Sequence, residues 1–361
     1  MTQPFWRDLK VIVCAGTGGV GKTTIAASLG VWAALEGKRT LVLTIDPALR
    51  LAQALGIEGR LEEEVAIEDP RVAGKLFATM INAQSVFDKF VRKAAPDASI
   101  AEKLLNNRLY QQLATSLSGS QEFTSLERVL TAAESGQYDL LILDTPPSQN
   151  SIDFLRAPDR IISLFQESVT KWFIKPAQER GILAQILSRG TRTVLSALER
   201  VTGSQFIREL TDFFQQMAHL QAKVRERSAD VKKLLTSSST GFVLVTGFDE
   251  LKLQEAMEFQ KDLRSQGYRL SAMIVNRCFP DWAFGDEPVG TLADSRTSAL
   301  REYFLLMRRQ FDHRLILADQ LSREIGDLPL IKIPEMRTSP QGMDELLQLS
   351  QKLKDRSGEL K

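Results

Sequence analysis

Short apolar runs bounded by glycine, proline or aspartate recur along the chain, separated by longer stretches of helical composition. The first is Lys10 to Ala15, closed by Gly16, and the second is Thr40 to Ile45, stopped by Asp46 and Pro47. A third candidate is Lys75 to Ile81, and the strongest, Tyr138 to Leu143, ends on Asp144. Further runs cover Gly241 to Thr246, Ser271 to Val275 and Leu328 to Ile333. They lack strict apolar–polar alternation, as expected of strands buried on both faces. Lys22 to Glu36 reads as a helix ending at Gly37, since glycine tolerates the left-handed turn that stops a helix. Strands alternating with helices predict an α/β fold with a mostly parallel, doubly wound sheet.

Two intervals break that rhythm. Residues 82–136 and 157–236 hold no convincing strand and read as helices. In the second, Arg160 to Lys175 carries Phe165, Trp172 and Phe173, and Phe206 to Leu220 carries Phe213, Phe214 and Met217. Apolar stripes of this kind are usually core. The expectation is one domain over 1–361, with 82–136 and 157–236 as segments of a helical subdomain inserted into it, and Thr236 to Gly241 as the return linker. The acidic run Glu62 to Glu64 predicts a solvated loop or helix end.

Composition narrows the possibilities. The 361 residues carry 46 Lys and Arg against 45 Asp and Glu, a formal net charge of +1. Such near-cancellation gives no global field for nucleic acid. Residues 157–236 alone carry 13 basic and 8 acidic side chains, about +5. That suits an anionic membrane surface, an acidic partner or ordinary solubility. No apolar stretch reaches the ~20 residues of a membrane span, so no integral span is expected. The start lacks the apolar segment of a signal peptide, and a reducing, cytoplasmic setting is expected. Two cysteines, Cys14 and Cys278, make no disulfide framework.

The chemistry gathers at Gly16-Thr17-Gly18-Gly19-Val20-Gly21-Lys22-Thr23-Thr24. This is a G-x-x-x-x-G-K-[ST] phosphate loop between a strand and a helix, the context the motif requires. Its glycines let backbone N–H groups turn toward phosphate oxygens, and the helix N-terminus adds partial positive charge. Lys22 would reach the β- and γ-phosphates, and the Thr23 hydroxyl would enter a Mg²⁺ shell. Asp144, at a strand end beside that loop, is a second carboxylate for the metal. Asp46 stands at another carboxyl-terminal strand edge, where it can orient or deprotonate an attacking water. These residues predict a P-loop NTPase using ATP and Mg²⁺.

Four motifs in order, the loop, Thr44-Ile45-Asp46-Pro47-Ala48, Asp144-Thr145-Pro146-Pro147 and Val275-Asn276-Arg277, resemble the deviant-Walker P-loop ATPases. They are most similar to the ArsA and tail-anchored-protein-targeting (guided-entry) branch, over essentially the whole chain. The resemblance implies a cytoplasmic, Mg²⁺-dependent ATPase working as a homodimer that opens and closes. It implies that Asp46 activates water, with Thr23, Asp46 and Asp144 around the metal and Lys22 and Asp144 in catalysis. Gly18, Gly19, Val20, Gly21, Lys22, Thr23 and Thr24 would hold phosphates, Asn276 and Pro334 would hold the base, and Arg277 would also contact the cofactor. It further implies a groove for a hydrophobic helix of a client, for which Phe165, Trp172, Phe173, Phe213, Phe214 and Met217 are suitable types. A MinD/ParA-like regulatory ATPase that recruits a protein partner is the alternative.

The departures are informative. The loop position that carries the family's signature lysine is Thr17, so another cation is expected to serve, and Arg50 is a candidate. No Cys-x-x-Cys pair exists for a shared zinc. Soft As(III) needs convergent thiolates, so arsenite pumping is disfavoured. The second switch runs Ser148-Gln149-Asn150-Ser151, without histidine.

Overall fold

The computed structural model describes residues 3–45, 50–57, 63–72, 75–108, 110–111, 120–145, 157, 204–278, 295–336 and 340–357. The chain divides into two compact units. One comprises Met1–Met80, Ala132–Ile152 and Leu235–Lys361, and the other Ile81–Thr131 and Asp153–Leu234.

The first unit is built on one eight-stranded sheet. Its strands are β1 (Val11–Gly16), β2 (Thr40–Thr44), β3 (Val65–Ala66), β4 (Leu76–Met80), β5 (Leu140–Asp144), β6 (Thr240–Gly247), β7 (Leu270–Cys278) and β8 (Leu330–Pro334). The order across the sheet is β3-β4-β2-β5-β1-β6-β7-β8. Every pairing is parallel except β3 with β4. This is the α/β, mostly parallel arrangement read from the apolar runs. The two-residue β3 was not legible. It follows the acidic run directly, and two residues carry no periodicity to detect.

Helices α1 (Lys22–Leu35), α2 (Arg50–Leu55), α7 (Glu250–Ser265), α8 (Ser295–Ile325) and α9 (Met343–Ser357) belong to this unit. Both faces of the central strands β1, β2, β5 and β6 are buried. Ile12, Cys14, Val42, Ile142, Val243 and Ile274 enter the core shared with α1, α2 and α9. Their neighbours Val11, Val13, Leu41, Leu43, Leu143 and Leu244 are equally inaccessible. Double burial is why the runs are continuously apolar. Helix α1 is buried over Ile25–Ala34; its small residues let it lie close on the sheet. A Cβ on Gly30 would sit 2.5 Å from Val42 Cγ2.

The second unit is helical. Its described elements are α3 (Ala83–Ala94), α4 (Ala98–Leu105), most of α5 (Ser120–Ser135) and most of α6 (Ser204–Leu235). Asn82 and Asp97 cap α3 and α4, their side chains accepting from Ser85 N–H and Ile100 N–H at 3.0 and 2.9 Å. These caps satisfy amides a first turn leaves free. The core joins Phe87, Phe90, Leu104, Tyr110 and Phe123 to Phe213, Met217, Leu220 and Val224. The Phe87 ring stacks on Tyr110 with centroids 5.7 Å apart. Phe213 and Met217, considered above as groove walls, are thus committed to this core and are 6% and 2% exposed. Phe165, Trp172 and Phe173, and the side chain of Phe214, lie outside the described residues.

Candidate functional site

In parallel sheets, ligands bind where adjacent strands send their connections in opposite directions, beyond the carboxyl ends. Here β1 lies between β5 and β6, and the phosphate loop leaves its end. Gly16 has φ of 147°, and a Cβ there would fall 2.0 Å from Val245 O. Only glycine fits this close passage. Gly21, at φ of 87°, turns the chain into α1, and a Cβ would meet Asn276 Nδ2 at 2.5 Å. The loop therefore depends on missing side chains at both ends.

Lys22 is buried, and its Nζ donates to Gly16 O at 3.0 Å and Thr17 O at 2.8 Å. Carbonyl oxygens of its own loop thus hold the ammonium at the base of the loop. Thr23 Oγ1 donates to Asp144 Oδ2 at 2.7 Å, and Thr44 Oγ1 donates to the same oxygen at 2.9 Å. Sheet register explains the convergence. Asp144 pairs with Cys14 on one side and Thr44 on the other. The following residue, Thr145, donates from Oγ1 to Cys14 O at 2.8 Å. Burial, and then the Asp144 charge, raises the Cys14 thiol well above its ordinary range. That thiol is core material.

Asn276 and Arg277 form a second fixed point. Asn276 Nδ2 donates to Val20 O at 2.8 Å, and its Oδ1 accepts from Arg277 N–H at 3.0 Å. Arg277 has φ of 56°, the only positive value outside glycine among the described residues.

Two clefts flank the loop. The larger, about 370 Å³, is lined by Gly19, Gly21, Lys22, Thr23 and Thr24, by Arg50, Gln53 and Ala54, and by Thr145, Arg277, Pro340 and Gln341. This volume suits a small organic ligand. The smaller, about 200 Å³, is lined by Gly18, Gly19 and Val20, by Gly247, Phe248, Asp249 and Lys252, and by Arg277 and Arg314.

The structure thus brings together Lys22, Thr23, Thr24, Asp144 and the loop glycines. Asp46 lies outside the described residues. Asn276 touches the loop and lines neither cleft; in this structure its amide serves Val20. Pro334 ends β8, paired with Cys278, and lines neither cleft. Pro340 and Gln341 stand at the larger cleft instead. Thr44 was missed. Its signal was its place at the end of a strand, and strand adjacency, which the sequence does not state, gives that signal meaning.

The profile of the anion-transporting (ArsA) ATPase family matches residues 9–355. The chain belongs to that family. Among similar proteins, a chain of Aquifex aeolicus named for arsenical pump driving is 22% identical over 95% of this chain and 78% of its own. ATPase get3 of Aspergillus terreus is 27% identical, covering 75% of this chain and 74% of its own. ATPase GET3C of Arabidopsis thaliana is 24% identical over 93% and 80%. The ArsA-family profile spans both the loop and the Asn276 segment, so this is an ATP-binding ATPase of that family. These relatives do not favour the MinD/ParA-like alternative. No described helix is long and apolar enough to cross a membrane.

Proposed function

We propose that this ArsA-family protein is a Mg²⁺-dependent ATPase, one half of a cytoplasmic homodimer whose nucleotide-driven closure is coupled to binding a hydrophobic protein segment. One observation carries the reading: Thr23 and Asp144 meet at 2.7 Å at the mouth of the phosphate loop. A hydroxyl and a carboxylate are hard oxygen donors, the set Mg²⁺ prefers beside substrate phosphates. The residues therefore fit the metal, with Thr23, Asp144 and Asp46 as those that would hold it. When bound, Mg²⁺ supplies neutralising charge at the β- and γ-phosphates.

The chain's own residues do the rest. Loop amides from Gly18 to Thr24 bind phosphate oxygens. Lys22, held by two carbonyls, exchanges those for phosphate oxygens, and its charge follows the negative charge developing in the transition state. Asp46 orients the attacking water and draws its proton. Thr145 ties the start of the second switch to β1. Asn276 and Pro334 serve the nucleoside end. Segments 82–136 and 157–236 form the inserted helical part and the binding side for a client or partner. Arsenite pumping remains disfavoured, because Cys14 and Cys278 are both buried.

The test is ATP turnover by the full chain, with Mg²⁺ and with excess chelator, for wild type and Asp46→Asn. Turnover that needs Mg²⁺ and falls about a hundredfold or more in the variant, while ATP still binds, supports the reading. Wild-type protein that binds no ATP would end it. Sedimentation with and without ATP tests the dimer, and a distribution unchanged by ATP removes nucleotide-driven closure.

A further inference from the structure

We infer that Arg277 supplies, from within the same chain, the second positive charge of the phosphate site. This rests on the reading that the larger cleft takes a nucleoside triphosphate with Mg²⁺.

Charge sets the requirement. A triphosphate carries about four negative charges near neutral pH, and one Mg²⁺ with one lysine offsets about three. Lys22 is the only cation in the loop, and the other candidate position is Thr17. The Thr17 hydroxyl is buried without a hydrogen-bond partner and brings no charge. A further cation must come from another element.

Among the described residues, Arg277 is the only side chain beyond the loop that borders both clefts. The two clefts share Gly19 and Arg277 among those residues, so Arg277 stands where they meet. Arg277 is exposed and makes no ion pair with any described residue. The other nearby cations are engaged. Lys252 Nζ is paired with Glu255 at 2.9 Å, and Arg50 and Arg314 each have another partner. A planar guanidinium can also grip two phosphate oxygens at once.

The backbone supports the same conclusion. A left-handed conformation is costly for a branched or long side chain and persists where the surroundings impose it. Asn276 imposes it here, with its amide on Val20 O and its carbonyl on Arg277 N–H. One asparagine therefore fixes the arginine backbone and the phosphate loop to each other. Asn276 is the positioning residue, and Arg277 is the one that touches phosphate.

The test is calorimetric titration of the full chain with ATP, ADP, AMP and adenosine in Mg²⁺ at fixed salt. Arg277→Gly removes the guanidinium and relaxes the backbone, so the fold is kept, and thermal unfolding verifies this. Arg277→Lys keeps a charge without the fork. The expected result is a loss of about tenfold or more for ATP in Arg277→Gly, with AMP and adenosine within about twofold of wild type, and a smaller loss in Arg277→Lys. Equal losses for all four ligands, or none, would overturn the inference while leaving the nucleotide site standing. Failure of wild type to bind ATP would overturn both. Selective loss of ATP in Arg50→Ala, with Arg277→Gly unchanged, would assign the charge to Arg50 instead.

Discussion

The sheet unit and the helical unit each bury a carboxylate, and treat it in opposite ways. Glu127 on α5 meets Arg227 on α6, whose Nε lies 3.0 Å from both carboxylate oxygens and whose Nη2 lies 2.9 Å from Oε1. Asp144 at the end of β5 accepts from two hydroxyls, Thr23 and Thr44. A guanidinium opposes a carboxylate's charge, whereas a hydroxyl orients the group and brings no charge of its own. The first contact joins two helices. The second lies beside the larger cleft, which Thr23 also lines. The two carboxylates differ here in the kind of partner, not in burial.

The largest expected effect breaks the buried ion pair. Glu127→Ala removes the carboxylate facing a buried guanidinium, at a cost of about 3–5 kcal/mol. Urea unfolding should show this loss, while ATP affinity measured below the transition stays near wild type. A large fall in ATP affinity with unchanged stability would reverse the two roles. Next is Lys22→Ala, which should cut turnover about 10²–10³-fold and shift the unfolding midpoint little. An unfolding loss as large as that of Glu127→Ala would show that Lys22 is a structural group.

Thr44→Val tests the Asp144 site more finely. It removes one charge-assisted hydrogen bond to Asp144 at nearly constant volume, worth about 1.5–3 kcal/mol. The expected signature is a rise in the Mg²⁺ concentration needed for half-maximal turnover. An unchanged Mg²⁺ curve would remove Thr44 from the site.

The smallest effect lies at the surface. Arg71 hydrogen-bonds Asp69 and lowers its carboxyl to about 2. A depressed acid contributes stability above its unfolded value, near pH 4, and that contribution is lost as pH falls toward the folded value. Because the pair is solvent-screened, Asp69→Asn should change unfolding only slightly at neutral pH. It should also flatten the slope between about pH 4 and 2. A neutral-pH loss matching that of Glu127→Ala would erase the distinction between exposed and enclosed pairs.

Much of this was legible in the residues. Runs such as Thr40–Ile45 and Ser271–Val275 announced doubly buried strands because they have no polar side to spare. The loop 16–24 was legible because phosphate binding constrains glycine, lysine and threonine at fixed spacing. Helical character in 82–136 was legible from the lack of a convincing strand there, and α3 and α4 form in it. The short β3 was not, and neither was the presence of Pro340 and Gln341 at the cleft in preference to Pro334. Those depend on how far β8 extends, and pairing with β7 takes it through Pro334. The ring-rich cluster at Phe213 and Met217 suited both a groove wall and a core. Packing against Phe87, Phe90 and Leu104 made it core.

By itself, the sequence determined the alternation of strand and helix, the phosphate loop and the absence of a second loop lysine, since each is a matter of local spacing or residue type. Tertiary structure alone decided which strands are neighbours. That order places Thr44 beside Asp144, Asn276 against Val20, and Arg277 where both clefts meet. The physical reason is range. Periodicity and turn chemistry act over a few residues, whereas the contacts that assemble this site join positions 100 to 256 residues apart.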